Sequence, residues 1–203
     1  MRPSEQLRFW AHELAAMAHT GLEFANNEYD RDRFQRTRQI ADGIASLVID
    51  DEFTPERPYL EEVGIASPKV GCSVAAFDDT GRVALIKRAD NGRWALPGGY
   101  AEVGTTPSEN ALRELREETG FDATLERLVG VYDNKSFAST NAYHFYICCF
   151  RARITGGVAT PSKETLEVVL SAPDEAPENM SLLQRTMLAD SVAANVHSPA
   201  AYQ

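Results

Sequence analysis

The spacing of apolar residues changes character along the chain. Leu7, Trp10, Leu14, Met17 or Ala18, and Leu22 recur at steps of three and four, which predicts a helix with one apolar stripe. Asn26, Asn27 and Tyr29-Asp30 interrupt that pattern. A second helix is expected after them, with Phe34, Ala41, Ile44, Ala45 and Val48 on one face. It ends near Asp50, Asp51 and Glu52, and Pro55 and Pro58 confirm the stop. Two such helices cannot bury both stripes against each other with nothing left over. They are expected to pack on the following domain, on a second copy of the chain, or on both, and the frequency of two-fold homodimers favours a dimer.

Residues 53–68 hold three prolines and no period, as a linker would. From Lys69 the pattern is that of strands. Val70 to Phe77, the turn Asp78-Asp-Thr-Gly81 and Val83 to Ile86 predict a hairpin. Trp94-Ala-Leu96 and Pro97-Gly98-Gly99 follow, then a helix over 107–119, strands over 125–132 and 143–154, and a helix over about 180–195. This order predicts an α/β (α+β) fold, an α/β/α sandwich with a mixed sheet. The expected division is a small helical domain over 1–62 and a second domain over 66–203.

Composition narrows the classes of function. A hydrophobic fraction of 43% and a charged fraction of 25% over 203 residues are ordinary for a globular protein. The formal net charge is −10, so free nucleic acid would be repelled unless a local patch reversed the field. The run Arg31-Asp-Arg-Phe-Gln-Arg-Thr-Arg38 is interleaved with acids and reads as a solvated helix face. An acidic protein that handles phosphates needs imported positive charge, and a divalent cation is a compact source. Cys72, Cys148 and Cys149 are an odd number, and neighbours on a strand point to opposite faces, so they read as buried small side chains. Arg2, Glu5, Arg8, His12 and Glu13 break up any leader-like apolar core, and no run of 18 apolar residues occurs. A cytoplasmic protein with no membrane partner is the expectation.

The chemistry is concentrated in 98–121. Thr106 is a fitting N-cap, Pro107 suits the first helical position, Glu109 completes a capping box, and Gly120 suits a left-handed stop. At about 100° per residue, Glu114, Glu117 and Glu118 fall in one sector, beside Ala111, Leu112, Leu115 and Thr119 facing the core. Like charges four apart cost roughly 0.2–0.5 kcal/mol. A hard divalent cation such as Mg²⁺ would offset that repulsion, and Gly98 and Gly99 would let backbone approach the ion or phosphates. The bland alternative is a charged outer face on an amphipathic helix.

The surrounding pattern decides between these. The segment resembles the signature of the Nudix hydrolase family: Gly, five residues, Glu, seven residues, Arg-Glu, an aliphatic residue, any residue, Glu-Glu, any residue, Gly and an apolar residue. Gly99, Arg113, Glu114, Leu115, Glu117, Glu118, Gly120 and Phe121 match at the right spacing, while Thr105 stands where the family has its first glutamate. The resemblance implies a Nudix-type sandwich and Mg²⁺-dependent hydrolysis, with Mn²⁺ a substitute, of a nucleoside diphosphate linked to a group X. It implies Glu114, Glu117 and Glu118 as metal ligands, with the Gly98 carbonyl a fourth, and Arg113 as the residue that orients the glutamates. The usual partner of that arginine is the first glutamate, which Thr105 cannot replace as an anion. The helical segment ahead of the fold is similar to a subgroup that includes CDP-choline and ADP-ribose pyrophosphatases, in which the helices help form a homodimer.

The family often recruits a further carboxylate from outside the signature. Glu164, in the segment Ser162-Lys-Glu-Thr-Leu-Glu167, is the candidate general base, a plain surface loop being the alternative. Tyr100, Tyr132, Phe137 and Tyr143 are candidates to stack on the base of a substrate. Arg88, Lys87 and Lys135 are candidates to meet its phosphates, and Gly99 would let backbone reach them. His144, in an apolar strand, reads as a core histidine.

The competing function is a nucleotide sensor that has kept the fold and weakened catalysis. Such proteins usually lose signature glutamates and gain a DNA-binding domain. Here three glutamates remain and residues 1–62 carry 7 basic and 13 acidic residues, a net −6, which favours the enzyme. An RNA-cap hydrolase would want a basic path that the sequence lacks.

Overall fold

The structure, a computed structural model, describes residues 3–47, 65, 67–102, 104–137, 144–194 and 199–202. The chain divides into two compact units, Met1–Lys69 with Ala138–His144, and Val70–Phe137 with Phe145–Gln203. Val48, most of the expected linker and Tyr143 lie outside the described residues. No described helix is long and apolar enough to cross a membrane.

In the first unit, helices α1 (Pro3–Phe24) and α2 (Glu28–Leu47) are separated by Asn27, whose Oδ1 accepts from the Asp30 amide at 2.9 Å and so caps α2. A Cβ on Gly21 of α1 would fall 2.3 Å from the Phe34 ring of α2, so glycine is what permits the two helices to meet there. Ala11, Ala18 and Ala41 are buried, while Trp10, Met17, Phe24, Ile40 and Leu47 stay exposed. The surplus apolar surface anticipated from the stripes is present in this unit.

The second unit is built on a mixed sheet. Its described strands are β1 (Lys69–Phe77), β2 (Val83–Arg88), β3 (Trp94–Ala95), β4 (Gly98–Tyr100), β5 (Phe121–Asp133), β6 (Phe145–Gly157), β7 (Thr165–Ser171) and β8 (Ala201–Tyr202). The order is β3-β2-β1-β6-β5-β8, with β4 also on β1 and β7 also on β2. The β5–β8 pair is parallel and the β1–β2, β1–β4, β2–β3, β2–β7 and β5–β6 pairs are antiparallel.

Side-chain alternation shows why helices cover both faces. Cys72, Val74 and Ala76 of β1 join Ala84 of β2 in one core with Ala111 and Leu115 of α3 (Pro107–Thr119). Ala75 and Phe77 join Val83 and Leu85 in another core with Met187 and Leu188 of α4 (Leu182–Ala193). Successive residues of a strand point to opposite faces, so the apolar run Val74–Phe77 of β1 serves both. Cys148 and Cys149 likewise divide between the two cores. This is the expected α/β/α arrangement.

Three elements differ from the expectation. β5 and β6 are longer than expected, and their pairing shifts register at three places, which hides the period-2 alternation. Residues from Thr165 onward form β7 on β2 rather than a loop, leaving only 162–164 as the approach to it. His144 precedes β6 rather than lying in it, half-buried, with its carbonyl accepting from the Lys69 amide.

α3 has the caps its sequence announces. The Thr106 hydroxyl accepts from the Glu109 amide, and Glu109 answers on the Thr106 amide. Gly120 closes the helix at φ 76°, and a Cβ there would fall 2.5 Å from the Val158 carbonyl oxygen. Gly120→Ala is therefore expected to destabilise the second unit by more than about 1 kcal/mol, because both conformation and space are wrong for a side chain. A thermal melt should show a lowered midpoint, by about 2–4 °C for each kcal/mol lost.

Candidate active site

α3 is tied to β4, the strand that precedes it, by polar links near both of its ends, from Asn110 to the Tyr100 carbonyl and from the Gly98 amide to Glu118. The Gly98 amide donates to Glu118 Oε2 at 2.7 Å. Glu118 sits in the last turn of α3, two residues before the C-cap, on the buried side of the helix, and is 5% exposed. Next to Gly98 in the chain, Gly99 faces Glu114: a Cβ there would fall 2.6 Å from Glu114 Oε1. Glycine at 99 is thus what makes room for that carboxylate.

The loop before β7 is brought to the same place by backbone bonds. The Ala89 amide donates to the Glu164 carbonyl at 2.9 Å, and Thr165 Oγ1 donates to the Glu118 carbonyl at 3.2 Å. Glu164 is exposed, yet close enough for its charge to act on Glu114, Glu118 and Arg88. Glu167 is instead paired with Lys87 at 2.7 Å, and Lys87 also lies 5.9 Å over the Trp94 ring.

The electrostatics follow from this crowding. Burial pushes the Glu118 carboxyl up to about 7; the Gly98 amide and Arg88 work against that rise, and the neighbouring charges of Glu114 and Glu164 add to it. Burial also raises Glu114, with Arg113 opposing and Glu117 and Glu164 adding. Arg113 donates to Glu117 Oε2 at 2.6 Å, to Glu114 Oε1 at 2.7 Å and to Asn110 Oδ1 at 2.9 Å. Its Nε is buried and has no hydrogen-bond partner among the described residues.

Among the described residues, no three ligating side chains converge on one point. Glu117 is 57% exposed and turned toward Arg113. The donor chemistry nevertheless fits a hard divalent cation: Glu114 and Glu118 offer oxygen only, and both are held where their charge is unfavourable without a counter-ion. Those two residues, with Glu117 within reach on the same helix sector and Glu164 beside them, are the groups that could hold such an ion.

The substrate candidates separate. Tyr100 is half exposed, with its ring 4.8 Å from that of Phe145, and so offers a face. Tyr132 does not: it is wholly buried in the α4-side core and donates its hydroxyl to Asp190 Oδ2 at 2.7 Å. This corrects the expectation that Tyr132 could stack on a base, since no ring face is open. Phe137 packs on the same core, 6.5 Å from Tyr132. Arg88 is oriented by Asp90, with bonds of 3.0 and 2.8 Å, an aspartate that the sequence reading passed over.

Asn110 was also missed. It is fully buried on α3, accepting from the Glu102 amide at 3.2 Å and from Arg113, and donating to the Tyr100 carbonyl at 3.0 Å. The signal was available: an amide among Ala111 and Leu115 on a core-facing stripe must be bonded to something.

Comparison with known proteins gives two family matches. A model described as the NUDIX domain matches residues 67–191, and one described as the UDP-X-like, N-terminal oligomerisation domain matches residues 5–54. A crystal structure of a UDP-X diphosphatase superposes with a TM-score of 0.56 at 26% identity, covering 94% of this chain and 95% of that one. "Putative ADP-ribose pyrophosphatase YjhB" of Bacillus subtilis (strain 168) is 29% identical over 169 residues, 82% of this chain and 81% of that protein. A MutT-like protein of Streptomyces ambofaciens is 37% identical over 135 residues, 66% of this chain and 79% of its own length.

The buried Glu118 has a direct consequence for the metal-free protein. A carboxyl whose folded value is raised costs nothing below the unfolded value, and its cost is complete above the folded value of about 7. Glu118→Gln is therefore expected to raise the thermal midpoint in EDTA at pH 8. The gap from the unaltered protein should close as pH falls through 7 toward the ordinary carboxylate range. An equal midpoint for both proteins at pH 8 would contradict the placement of that charge.

Proposed function

This chain belongs to the Nudix hydrolase family, and from that premise we propose that it hydrolyses the diphosphate bond of a nucleoside diphosphate linked to a group X, using Mg²⁺. The substrate class is a nucleotide of the ADP-ribose, CDP-choline or UDP-X type, and Mn²⁺ substitutes for Mg²⁺. The observation that carries this reading is the buried Glu118, bonded to the Gly98 amide and crowded by Glu114 and Glu164. A charge so placed has a reason to exist when a cation and a phosphate complete the site.

The reaction adds one water across the bridge. An oxygen of water bonds to one phosphorus, the bridging P–O bond breaks, and a nucleoside monophosphate and a phosphorylated X leave. Mg²⁺ supplies neutralisation of the diphosphate charge and orientation of the reacting groups. Glu114, Glu117 and Glu118, with the Gly98 carbonyl, are the residues that would hold it. Glu164 takes the proton from the attacking water, from a backbone position fixed by Ala89. Arg88, steered by Asp90, meets a phosphate oxygen, with the Gly99 backbone beside the diphosphate. Tyr100, backed by Phe145, takes the flat part of the nucleotide. Arg113 positions the glutamates.

The protein acts as a cytoplasmic homodimer. Support comes from the exposed Trp10, Met17 and Ile40 on α1 and α2 and from the match of this segment to an oligomerisation domain. A second copy is the occupant we assign to that surface.

Three outcomes are expected. Against ADP-ribose, CDP-choline and a UDP-sugar, the protein should release a nucleoside monophosphate with Mg²⁺ or Mn²⁺ and be silent in EDTA. Glu117→Gln should lower kcat by two orders of magnitude or more, on the scale of losing one charge-stabilising group (roughly 100- to 1000-fold). Nucleotide binding without cleavage by any metal form would favour the sensor instead. Light scattering should give the mass of two chains, and Met17→Glu should shift it toward one.

A further inference from the structure

Arg113 has more acceptors around it than a positioning arginine requires. Besides Glu114, Glu117 and Asn110, Glu102 Oε1 lies 3.4 Å from its NH2. Two of these partners, Glu114 and Glu117, are the carboxylates a divalent cation would take, on the functional reading above, on which this inference rests. Asn110 and Glu102 are not. Once the first two turn away, these are the partners left among the described residues for a guanidinium whose Nε has none there. Of that pair only Glu102 carries charge.

The backbone between β4 and α3 is folded to deliver Glu102. Thr105 donates to the Glu102 carbonyl twice, from its amide at 3.2 Å and from Oγ1 at 2.8 Å. The Glu102 amide donates to Asn110 Oδ1, and the same oxygen accepts from Arg113. Asn110 Nδ2 meanwhile ties the Tyr100 carbonyl to α3. Asn110 thus fixes the backbone of Glu102 and the guanidinium of Arg113 from one buried amide. Thr105 brings no charge of its own. It serves as the hydroxyl that closes the turn.

We propose that Glu102, held by Asn110 and Thr105, is the charge partner that keeps Arg113 in place when Glu114 and Glu117 engage a cation. It thereby takes the part of the glutamate absent at position 105. Glu102, Asn110 and Arg113 are positioning residues, and none needs to touch the substrate. Without the Glu102 charge, Arg113 competes for Glu114 and Glu117, and the cation is held less well.

The test uses the full chain, with free Mn²⁺ followed by electron paramagnetic resonance and hydrolysis measured in parallel. Glu102 is 60% exposed, so Glu102→Gln leaves the core untouched. It is expected to weaken Mn²⁺ binding roughly fivefold, the scale of one partly exposed ion pair. It should also lower kcat at limiting metal while leaving the KM for the nucleotide unchanged. Adding Thr105→Glu to Glu102→Gln should restore most of the Mn²⁺ affinity and kcat, because the charge returns from the other end of the same turn. Unchanged Mn²⁺ affinity in Glu102→Gln would overturn the inference, and so would a loss that Thr105→Glu does not reverse. No Mn²⁺ binding by the unaltered chain would instead overturn the functional reading, and this inference with it.

Discussion

The bond from the Gly98 amide to the Glu118 carboxylate is the constraint on which the rest of the site depends. It fastens the last turn of α3 to the strand segment before it, and it places an acid where water is scarce. A buried carboxylate that accepted only one backbone bond would be a poor structural choice, since an apolar residue would serve a core better. Its retention makes sense if the charge is needed by something that arrives later.

Neighbouring features read as accommodations to that charge. Gly99 leaves room for Glu114, and Gly120 ends the helix so that the chain can turn at once into β5. β7 runs beside β2, and its leading loop is pinned both to Ala89 and to the Glu118 carbonyl, which sets Glu164 beside the cluster. Arg113 and Arg88 supply positive charge at the edge, each steered by an acid. Without a cation, Arg113 occupies Glu114 and Glu117, so the arrangement has one neutralising group standing in for another. The two sheet faces, packed under α3 and α4, give this cluster a rigid base.

Much of this was legible in the sequence, for identifiable reasons. α3 was readable to the residue because its caps are local chemistry: Thr106, Pro107, Glu109 and Gly120 each act on their own turn. The spacing of Glu114, Glu117 and Glu118 depends only on helical geometry. What was not legible depends on partners distant in the chain. Tyr132 reads like any strand aromatic, and only the packing of α4 against β5 reveals that its hydroxyl belongs to Asp190. Residues 165–167 read as loop because the place of β7 beside β2 is a tertiary fact. Register shifts in β5 and β6 blurred the alternation that would have fixed their length. Asn110 and Glu102 escaped notice because the signature leaves their positions free, while the structure gives both to Arg113.

The central claim is that the carboxylates of the buried Glu118 and the half-buried Glu114 are kept close together for a divalent cation. Anomalous diffraction from crystals of the full chain grown with Mn²⁺ tests it most directly. The account expects one dominant Mn²⁺ peak within about 2.0–2.6 Å of oxygens of both Glu114 and Glu118, the range for hard cations on carboxylates. A dominant peak elsewhere, with Glu118 still bonded only to the Gly98 amide, would contradict it.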